Sequence, residues 1–308
     1  MNRRKLVSMV FFLFFVLIGI SYAKQVILSE VPDYGWWYGC APTSAGMLIG
    51  YYDIHGYNGL RYNNLVPGGK AELSTFPSTA GVWQYRAQYA IASPEHVKDF
   101  YRGGYGASGD DGDPPYHEFN SLADFMGTSQ DSAGNSNGTT TFWFYTNGSP
   151  LYVADIYTLG LKDSSGLYGI WEYIDYRGYG THDSLNDKTM FNQYVDTYVS
   201  GGFSFNDFMS EINSGRPVII HLNGHAMLGY GYDTEGNIIY VHDTWSPGDH
   251  TMTWGGTYGG MEFIGVTCVH LTGGSPVPIP NSIMLIGSGL FLLLIFVRRK
   301  DSVERETA

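Results

Sequence analysis

Residues 39–47 read GCAPTSAGM, and this stretch decides the fold because it begins a helix with a cysteine at its start. Pro42 fits the first turn of a helix, where its missing N–H costs nothing, and Thr43 favours a helix start. Apolar residues then recur at helical spacing, and the segment that begins at His55 ends the pattern. The sequence therefore predicts a helix over residues 40–53.

The second half of the fold is predicted from residue 216 onward, where the pattern changes from helix to strand. Strands are predicted at residues 217–222, 225–232, 238–242 and 264–271. Residues 233–237 form a tight turn in which Gly236 can take a positive φ, so residues 225–242 make a hairpin. A short helix is expected within residues 201–213. The predicted fold class is α+β, with an N-terminal helix that carries the cysteine packed on a C-terminal twisted antiparallel sheet.

Cys40 is the candidate nucleophile. The partial positive charge of a helix start stabilises a thiolate, so we expect a lowered pKa for its thiol. Gly39 is expected to leave room for a substrate carbonyl, and the N–H of Cys40 can contribute to an oxyanion hole. Such a nucleophile needs a base on a rigid element, and a third polar group that orients the base.

Nine histidines compete for the role of base. His225 begins a predicted strand, and Asp243 follows the returning strand 18 residues later. The hairpin places both residues at one edge of the sheet, where an aspartate can hold the imidazole in its productive tautomer. His242 competes, but it neighbours Asp243 on the alternate face of the strand. We therefore predict His225 as the base and Asp243 as the orienting residue.

The remaining histidines are weaker candidates. His221 lies in an apolar strand and is expected to be a hydrogen-bonded core residue. His250 and His270 have no comparable carboxylate partner in the sequence pattern.

Three segments together resemble the double-glycine leader peptidase-like branch of the papain-like superfamily. They are residues 39–47, residues 224–230, which read GHAMLGY, and residues 241–245, which read VHDTW. The resemblance covers about a quarter of the chain and implies a papain-like fold and cysteine peptidase activity. It also implies that Cys40 is the nucleophile, His225 the general base and acid, and Asp243 the orienting residue.

Two features depart from that family. Its members usually have a glutamine before the cysteine as the second oxyanion donor, and the residues just before Cys40 include none. The hydroxyl of Tyr34 or the indole N–H of Trp36 could substitute, or the oxyanion hole is defective. The interval from Cys40 to His225 is also long, at 185 residues. Residues 60–200 are therefore interpreted as an insertion that carries the substrate surface.

The two ends of the chain carry targeting patterns. Residues 1–23 combine a basic start, an apolar run and small residues before a cleavage site, which indicates a signal peptide, with an uncleaved anchor as the alternative. Residues 273–281 form a Pro-rich link, and residues 282–300 form an apolar transmembrane segment that ends in a basic cluster. The positive-inside rule then places residues 301–308 in the cytoplasm. Residues 24–272 would form one exported peptidase-like domain.

The C-terminal tail resembles the PEP-CTERM sorting signal of Gram-negative bacteria. It has the Pro-containing start, the glycine-punctuated apolar helix and the Arg-rich end, although residues 278–280 read PIP where that family has Pro-Glu-Pro. The resemblance implies an exosortase-type processing enzyme as a partner and a location in the cell envelope or outside the cell. A plain C-terminal membrane anchor is the alternative.

The distribution of charge argues against a nucleic-acid partner. Seven of the 17 basic residues, but only three of the 29 acidic residues, lie in the two terminal segments, so the exported part is strongly acidic. Such a surface repels nucleic acid. Residues 110–113, DDGD, could bind Ca²⁺, but they lack a later bidentate glutamate at EF-hand spacing, so a solvated acidic loop is favoured. No metal ion or other cofactor is expected.

The sequence thus favours an exported cysteine peptidase that acts on a peptide or isopeptide bond of a peptide or protein substrate. A non-catalytic surface or matrix binding protein on a degenerate papain-like scaffold is the main alternative, and the missing glutamine favours it. A transglutaminase-like fold ranks third, because its cysteine and histidine normally lie far closer in sequence. A disulfide between Cys40 and Cys268 is a further alternative, since these are the only two cysteines.

Overall fold

The computed structural model describes residues 24–100, 119–180 and 183–272. The predicted signal peptide, the acidic loop at residues 110–113, and the C-terminal link, transmembrane segment and tail lie outside these residues. In the part of the chain that the structure describes, no helix is both long enough and apolar enough to cross a membrane.

The helices are short except for the one that carries Cys40. They are α1 (Cys40–His55), α2 (Arg86–Ile91), α3 (Pro94–Phe100), α4 (Leu122–Phe125), α5 (Val153–Thr158), α6 (Gly166–Tyr176) and α7 (Phe205–Asn213). Two single 3₁₀ turns cover Asp131–Ala133 and Lys162–Ser164. Helix α1 is buried on all sides over residues 41–53, which is the pattern of a central core helix.

The strands, in chain order, are β1 (Gln25–Ile27), β2 (Asp33–Tyr34), β3 (Ser74–Thr75), β4 (Leu151–Tyr152), β5 (Met190–Tyr194), β6 (Val218–Leu222), β7 (His225–Asp233), β8 (Ile238–His242), β9 (His250–Thr253), β10 (Thr257–Tyr258) and β11 (Met261–Val269). Among the described residues, the main sheet has the order β4-β5-β11-β6-β7-β8-β9. Strand β1 pairs with the end of β7, and β10 pairs with β11; all these pairs are antiparallel. Strands β2 and β3 form a separate parallel pair.

The main sheet lies between two helical layers. Alternate residues of a strand face opposite sides of a sheet, so β6 contributes to two cores. Ile219 packs in the core that contains α1, whereas Val218 and Ile220 pack in the core that contains Phe208 of α7. Helix α1 contacts β6 and β7, as does α7 from the other face. The molecule is therefore a mixed helix and antiparallel-sheet structure, consistent with the predicted α+β class.

The local predictions agree closely with these elements. The predicted helix over residues 40–53 extends to His55 and ends at Gly56, which has φ 73°. The predicted hairpin is β7 and β8, and Gly236 in its turn has φ 83°. The last strand begins three residues earlier than predicted, because β11 includes residues 261–263, which pair with β10 and β6.

Candidate active site

Cys40 lies at the start of α1, at the wall of a pocket of about 420 Å³ that His225 also lines. The chain turns sharply into this helix, with φ 54° at Tyr38 and φ 147° at Gly39. The Thr43 side chain fixes the turn: its Oγ1 accepts from the Trp37 N–H at 3.0 Å and donates to the Gly39 carbonyl at 2.6 Å. The sequence at residues 37–43 therefore sets the position of the thiol by local hydrogen bonds.

The environment of the Cys40 thiol combines burial with converging N–H groups. Burial raises the pKa of Cys40, and the backbone N–H groups of Ala226, Ala41 and Cys40 itself lower it without outweighing the burial. The prediction that the helix start lowers this pKa is therefore wrong in its net direction. At neutral pH the resting residue is a thiol, surrounded by donors that would stabilise a thiolate once the proton leaves.

His225 lies at the first position of β7, and its ring has a defined orientation. Its Nε2 lies 2.8 Å from the backbone carbonyl oxygen of Asp243. A carbonyl only accepts, so Nε2 carries the proton and Nδ1 of the neutral ring is the acceptor. The ring also stacks on Trp245 with centroids 4.0 Å apart. Burial lowers the pKa of His225, although the carbonyl and the negative charge of Asp243 oppose the shift.

The Asp243 carboxylate shapes the turn that follows β8. Its Oδ1 accepts from the Trp245 N–H at 2.8 Å and the Ser246 N–H at 3.0 Å, and its Oδ2 accepts from the Tyr258 hydroxyl at 2.7 Å. Burial raises the pKa of Asp243, but these donors, together with the charge of His250, outweigh burial and hold the pKa below its usual range. The hairpin spacing thus brings Asp243 to His225, and their hydrogen bond uses the backbone carbonyl.

The two residues suggested as oxyanion donors occupy different environments. Tyr34 is fully buried, and its hydroxyl donates to the Glu72 carbonyl at 2.7 Å, apart from the residues that line the pocket. The expectation that Tyr34 donates into the site is therefore corrected. Trp36 does line the pocket, with 37 % of its surface exposed. Its backbone N–H donates a hydrogen bond to the Thr244 carbonyl.

The other histidines have partners of their own. The Nδ1 of His242 donates to the Pro32 carbonyl at 2.8 Å. His221 is buried as predicted, with its Nε2 2.7 Å from Thr267 Oγ1, although it also lines the pocket. His250 and His270 each lie near a carboxylate, which the sequence pattern did not indicate. His270 Nε2 lies 2.9 Å from a Glu211 carboxylate oxygen, and His250 Nε2 lies 3.7 Å from the Asp243 carboxylate.

One wall of the pocket comes from the segment over residues 137–144, in which the sequence indicated no individual site residue. Residues 137–140 line the pocket together with Phe142 and Phe144. A Cβ added at Gly39 would lie 3.0 Å from the Gly138 carbonyl oxygen. A side chain at position 39 would therefore crowd this wall, and the expectation that Gly39 leaves room for a substrate carbonyl stays a prediction. No local signal in a Gly/Asn/Ser/Thr-rich stretch indicates such a long-range contact.

Both cysteines lie within the described residues, and both are free thiols. Cys268 is buried in β11 in the core on the α7 side of the sheet, whereas Cys40 packs at the edge of the other core. The structure therefore has no disulfide between these two described residues.

A model described as the Peptidase_C39 like family matches residues 120–259, just under half of the chain. The matched region includes His225 and Asp243, and Cys40 lies before it. No curated protein and no solved structure matches the chain. The match supports a papain-like cysteine peptidase family and does not favour the alternative of a non-catalytic binding protein. It also runs through residues 120–200, whose interpretation as an insertion stays a prediction.

Proposed function

We propose that the chain is an exported cysteine peptidase that cleaves a peptide or isopeptide bond by means of Cys40, His225 and Asp243. The observation that carries the proposal is that Cys40 and His225 line one pocket, with the protonated nitrogen of His225 held by Asp243. This arrangement leaves Nδ1 of the imidazole as the available base in the pocket that the thiol also lines.

The reaction would begin from an uncharged thiol and an uncharged imidazole. As Sγ of Cys40 attacks the substrate carbonyl, the thiol proton passes to Nδ1 of His225. The carbonyl and the charge of Asp243 stabilise the imidazolium that forms. His225 then gives this proton to the leaving amine, and the carbonyl re-forms as a thioester. Water that loses a proton to Nδ1 hydrolyses the thioester, which releases the acid and restores the thiol.

The negative charge on the substrate oxygen needs donors close to Sγ. The N–H of Cys40 at the start of α1 is one such donor, because the helix N-terminus adds partial positive charge there. Trp36 is the candidate for the second donor, since it lines the same pocket. This assignment makes a glutamine before Cys40 unnecessary.

The terminal segments support export, since residues 1–23 have the pattern of a signal peptide and residues 273–300 that of a sorting or anchor segment. The domain over residues 24–272 would then act in the envelope or outside the cell, with an exosortase-type enzyme as processing partner. Alkaline phosphatase fused after residue 272 should be active in cells only when residues 1–23 are present. Equal activity without them would contradict export.

The catalytic proposal is tested with two cysteine variants. Cys40→Ala should abolish both peptide hydrolysis and labelling by a thiol-directed covalent inhibitor, measured by intact mass. Cys268→Ala removes the other thiol from a core position and should keep both properties. Full hydrolysis by Cys40→Ala would overturn the proposal.

A further inference from the structure

Part of the pocket that Cys40 lines is walled by tightly packed aromatic and apolar side chains. We call it the side-chain pocket and define it by Phe142, Phe144, His221 and Ile264, all of which line the cavity. The whole cavity, at about 420 Å³, lies within the ~300–1,000 Å³ typical of ligand sites.

Each phenylalanine ring lies directly over a glycine. A Cβ added at Gly166 would lie 2.7 Å from Phe142 Cζ, and one added at Gly265 would lie 2.6 Å from Phe144 Cε1. Phe144 also stacks on Tyr194, with ring centroids 4.6 Å apart. The two rings therefore have little freedom to move, and they form a preorganised apolar wall.

Ile264 points into the cavity because of an irregularity in the sheet. The register between β11 and β6 shifts between Phe263, which pairs with Leu222, and Gly265, which pairs with His221. The extra residue on β11 is Ile264, so the strand bulges at this position. Bulges beside sites commonly re-aim a side chain, and here Phe263 is buried in the core on the α7 side while Ile264 lines the pocket.

His221 adds an uncharged surface to the same pocket. Thr267 donates its hydroxyl proton to Asn192 at 2.6 Å, so its oxygen accepts from the protonated Nε2 of His221 at 2.7 Å. Complete burial lowers the pKa of His221 to about 3, which keeps the ring neutral at physiological pH. The ring packs against Phe142 with centroids 4.3 Å apart.

The pocket is therefore built for an uncharged group. Among the described residues that line it, none is Asp, Glu, Lys or Arg. A charged substrate group placed there would lose its hydration without gaining a counter-charge. We propose that the side-chain pocket binds a large uncharged side chain, aromatic or aliphatic, of the substrate residue beside the scissile bond, and that it thereby sets the cleavage specificity. This inference rests on the proposed function, because it takes Cys40 as the reacting group.

The test measures how fast Cys40 is alkylated, so it does not require turnover. The full chain is treated with N-acetyl tripeptidyl chloromethyl ketones that carry Phe, Leu, Gly, Lys or Asp at the first or second position from the ketone. Intact mass gives the labelling rates. At one of the two positions, Phe and Leu reagents should react at least about tenfold faster than Gly, Lys and Asp reagents, since one well-filled apolar contact discriminates by about 10–200-fold.

A matched pair of variants places or omits a charge in the pocket. Ile264→Glu should raise the rate with the Lys reagent about tenfold relative to the Phe reagent, because it supplies the counter-charge. Ile264→Gln has nearly the same size without the charge and should not favour Lys.

The outcomes separate this inference from the proposed function. Equal labelling rates for all reagents, or no difference between Ile264→Glu and Ile264→Gln, would overturn the proposed specificity of the side-chain pocket. Either result would leave the proposed peptidase function untouched. If Phe or Leu reagents label the chain selectively but the chain never hydrolyses peptides, the proposed peptidase function is overturned. The proposed specificity of the side-chain pocket is then supported. If Cys40 reacts with no reagent, both proposals fail.

Discussion

His225 donates from Nε2 to the main-chain carbonyl of Asp243 at 2.8 Å, while the carboxylate of Asp243 accepts from Trp245, Ser246 and Tyr258. The backbone of the turn thus orients the imidazole, and the carboxylate holds the turn in place. The side chain of Asp243 acts on His225 through the shape of this turn and through its negative charge. Substitutions at residue 243 can separate these two contributions.

Asp243→Asn should reduce kcat/KM only modestly, by about tenfold. The amide oxygen can still accept from the N–H groups of the turn, so the backbone carbonyl stays in place and only the charge is lost. Where a carboxylate itself holds the catalytic imidazole, as in serine proteases, the same change costs about 10⁴-fold. Loss of the charge should also move the acid limb of the pH profile of kcat/KM to lower pH, because the charge raises the pKa of His225.

Asp249→Asn is the matched control, since Asp249 accepts from the Tyr230 hydroxyl and does not line the pocket. It should leave kcat/KM unchanged. A loss of more than about 10³-fold in a folded Asp243→Asn protein would mean that the carboxylate contacts His225 directly during catalysis.

The alkylation of Cys40 by iodoacetamide should depend steeply on pH. Burial raises the pKa of Cys40, so the rate should stay low at pH 5–7 and rise only above the ordinary titration range of a cysteine. Peptide hydrolysis should fall only as the pH drops below the ordinary ~6.5 of histidine, because burial lowers the pKa of His225. A fast, flat alkylation rate near pH 5 would instead indicate a resting thiolate–imidazolium pair.

Gly39→Ala should lower both stability and the reactivity of Cys40. Gly39 has φ 147°, and an added Cβ would lie 2.7 Å from Pro42 Cγ. We expect a loss of about 1–3 kcal/mol in the free energy of unfolding. Gly160→Ala is the control, since Gly160 has φ 71° and open space around the added Cβ. It should cost about 1–2 kcal/mol without changing alkylation of Cys40. Equal reactivity of Cys40 in both variants would contradict the role of Gly39.

His96→Ala should destabilise the fold strongly. His96 of α3 and Asp124 of α4 are both buried, and His96 Nδ1 lies 2.8 Å from an Asp124 carboxylate oxygen. Removing the imidazole leaves a buried carboxylate without this partner, which costs about 3–5 kcal/mol in urea denaturation at pH 7. Burial raises the pKa of Asp124, but His96, the Ser121 hydroxyl and the Asn120 N–H together outweigh burial and lower it.

This stabilisation is present above the pKa of Asp124 in the unfolded chain and is lost as the pH falls through its folded value. The difference between His96→Ala and the unmodified chain should therefore shrink in acid. His55→Ala, at an exposed residue, should have little effect. A cost below about 1 kcal/mol for His96→Ala would show that the pair contributes little.

The elements that the sequence predicted well are those with local causes. Helix α1 follows from Pro42, Thr43 and helical spacing, and the β7–β8 hairpin follows from the turn around Gly236. The proximity of residues 225 and 243 follows from that hairpin. These features depend on residues that are close in sequence, so a single sequence is enough to predict them.

The features that the sequence did not predict depend on distant contacts. The bulge at Ile264 arises from pairing between β11 and β6, and Ile264 is otherwise an ordinary apolar strand residue. Phe144 lines the pocket because Tyr194 and Gly265 hold its ring from strands far along the chain. The pKa of Cys40 rises because the half-buried thiol loses part of its hydration, which a helix start alone does not indicate.

The burial of Cys40 also bears on how long the thiol survives. Peroxides oxidise the thiolate far faster than the thiol, and the first product is a sulfenic acid that can proceed to irreversible forms. A cysteine that keeps its proton at rest is therefore slow to oxidise in surroundings without a reducing buffer. In the proposed reaction, the same desolvation that delays ionisation until His225 takes the proton would preserve the sulfur in its reduced state between encounters with substrate.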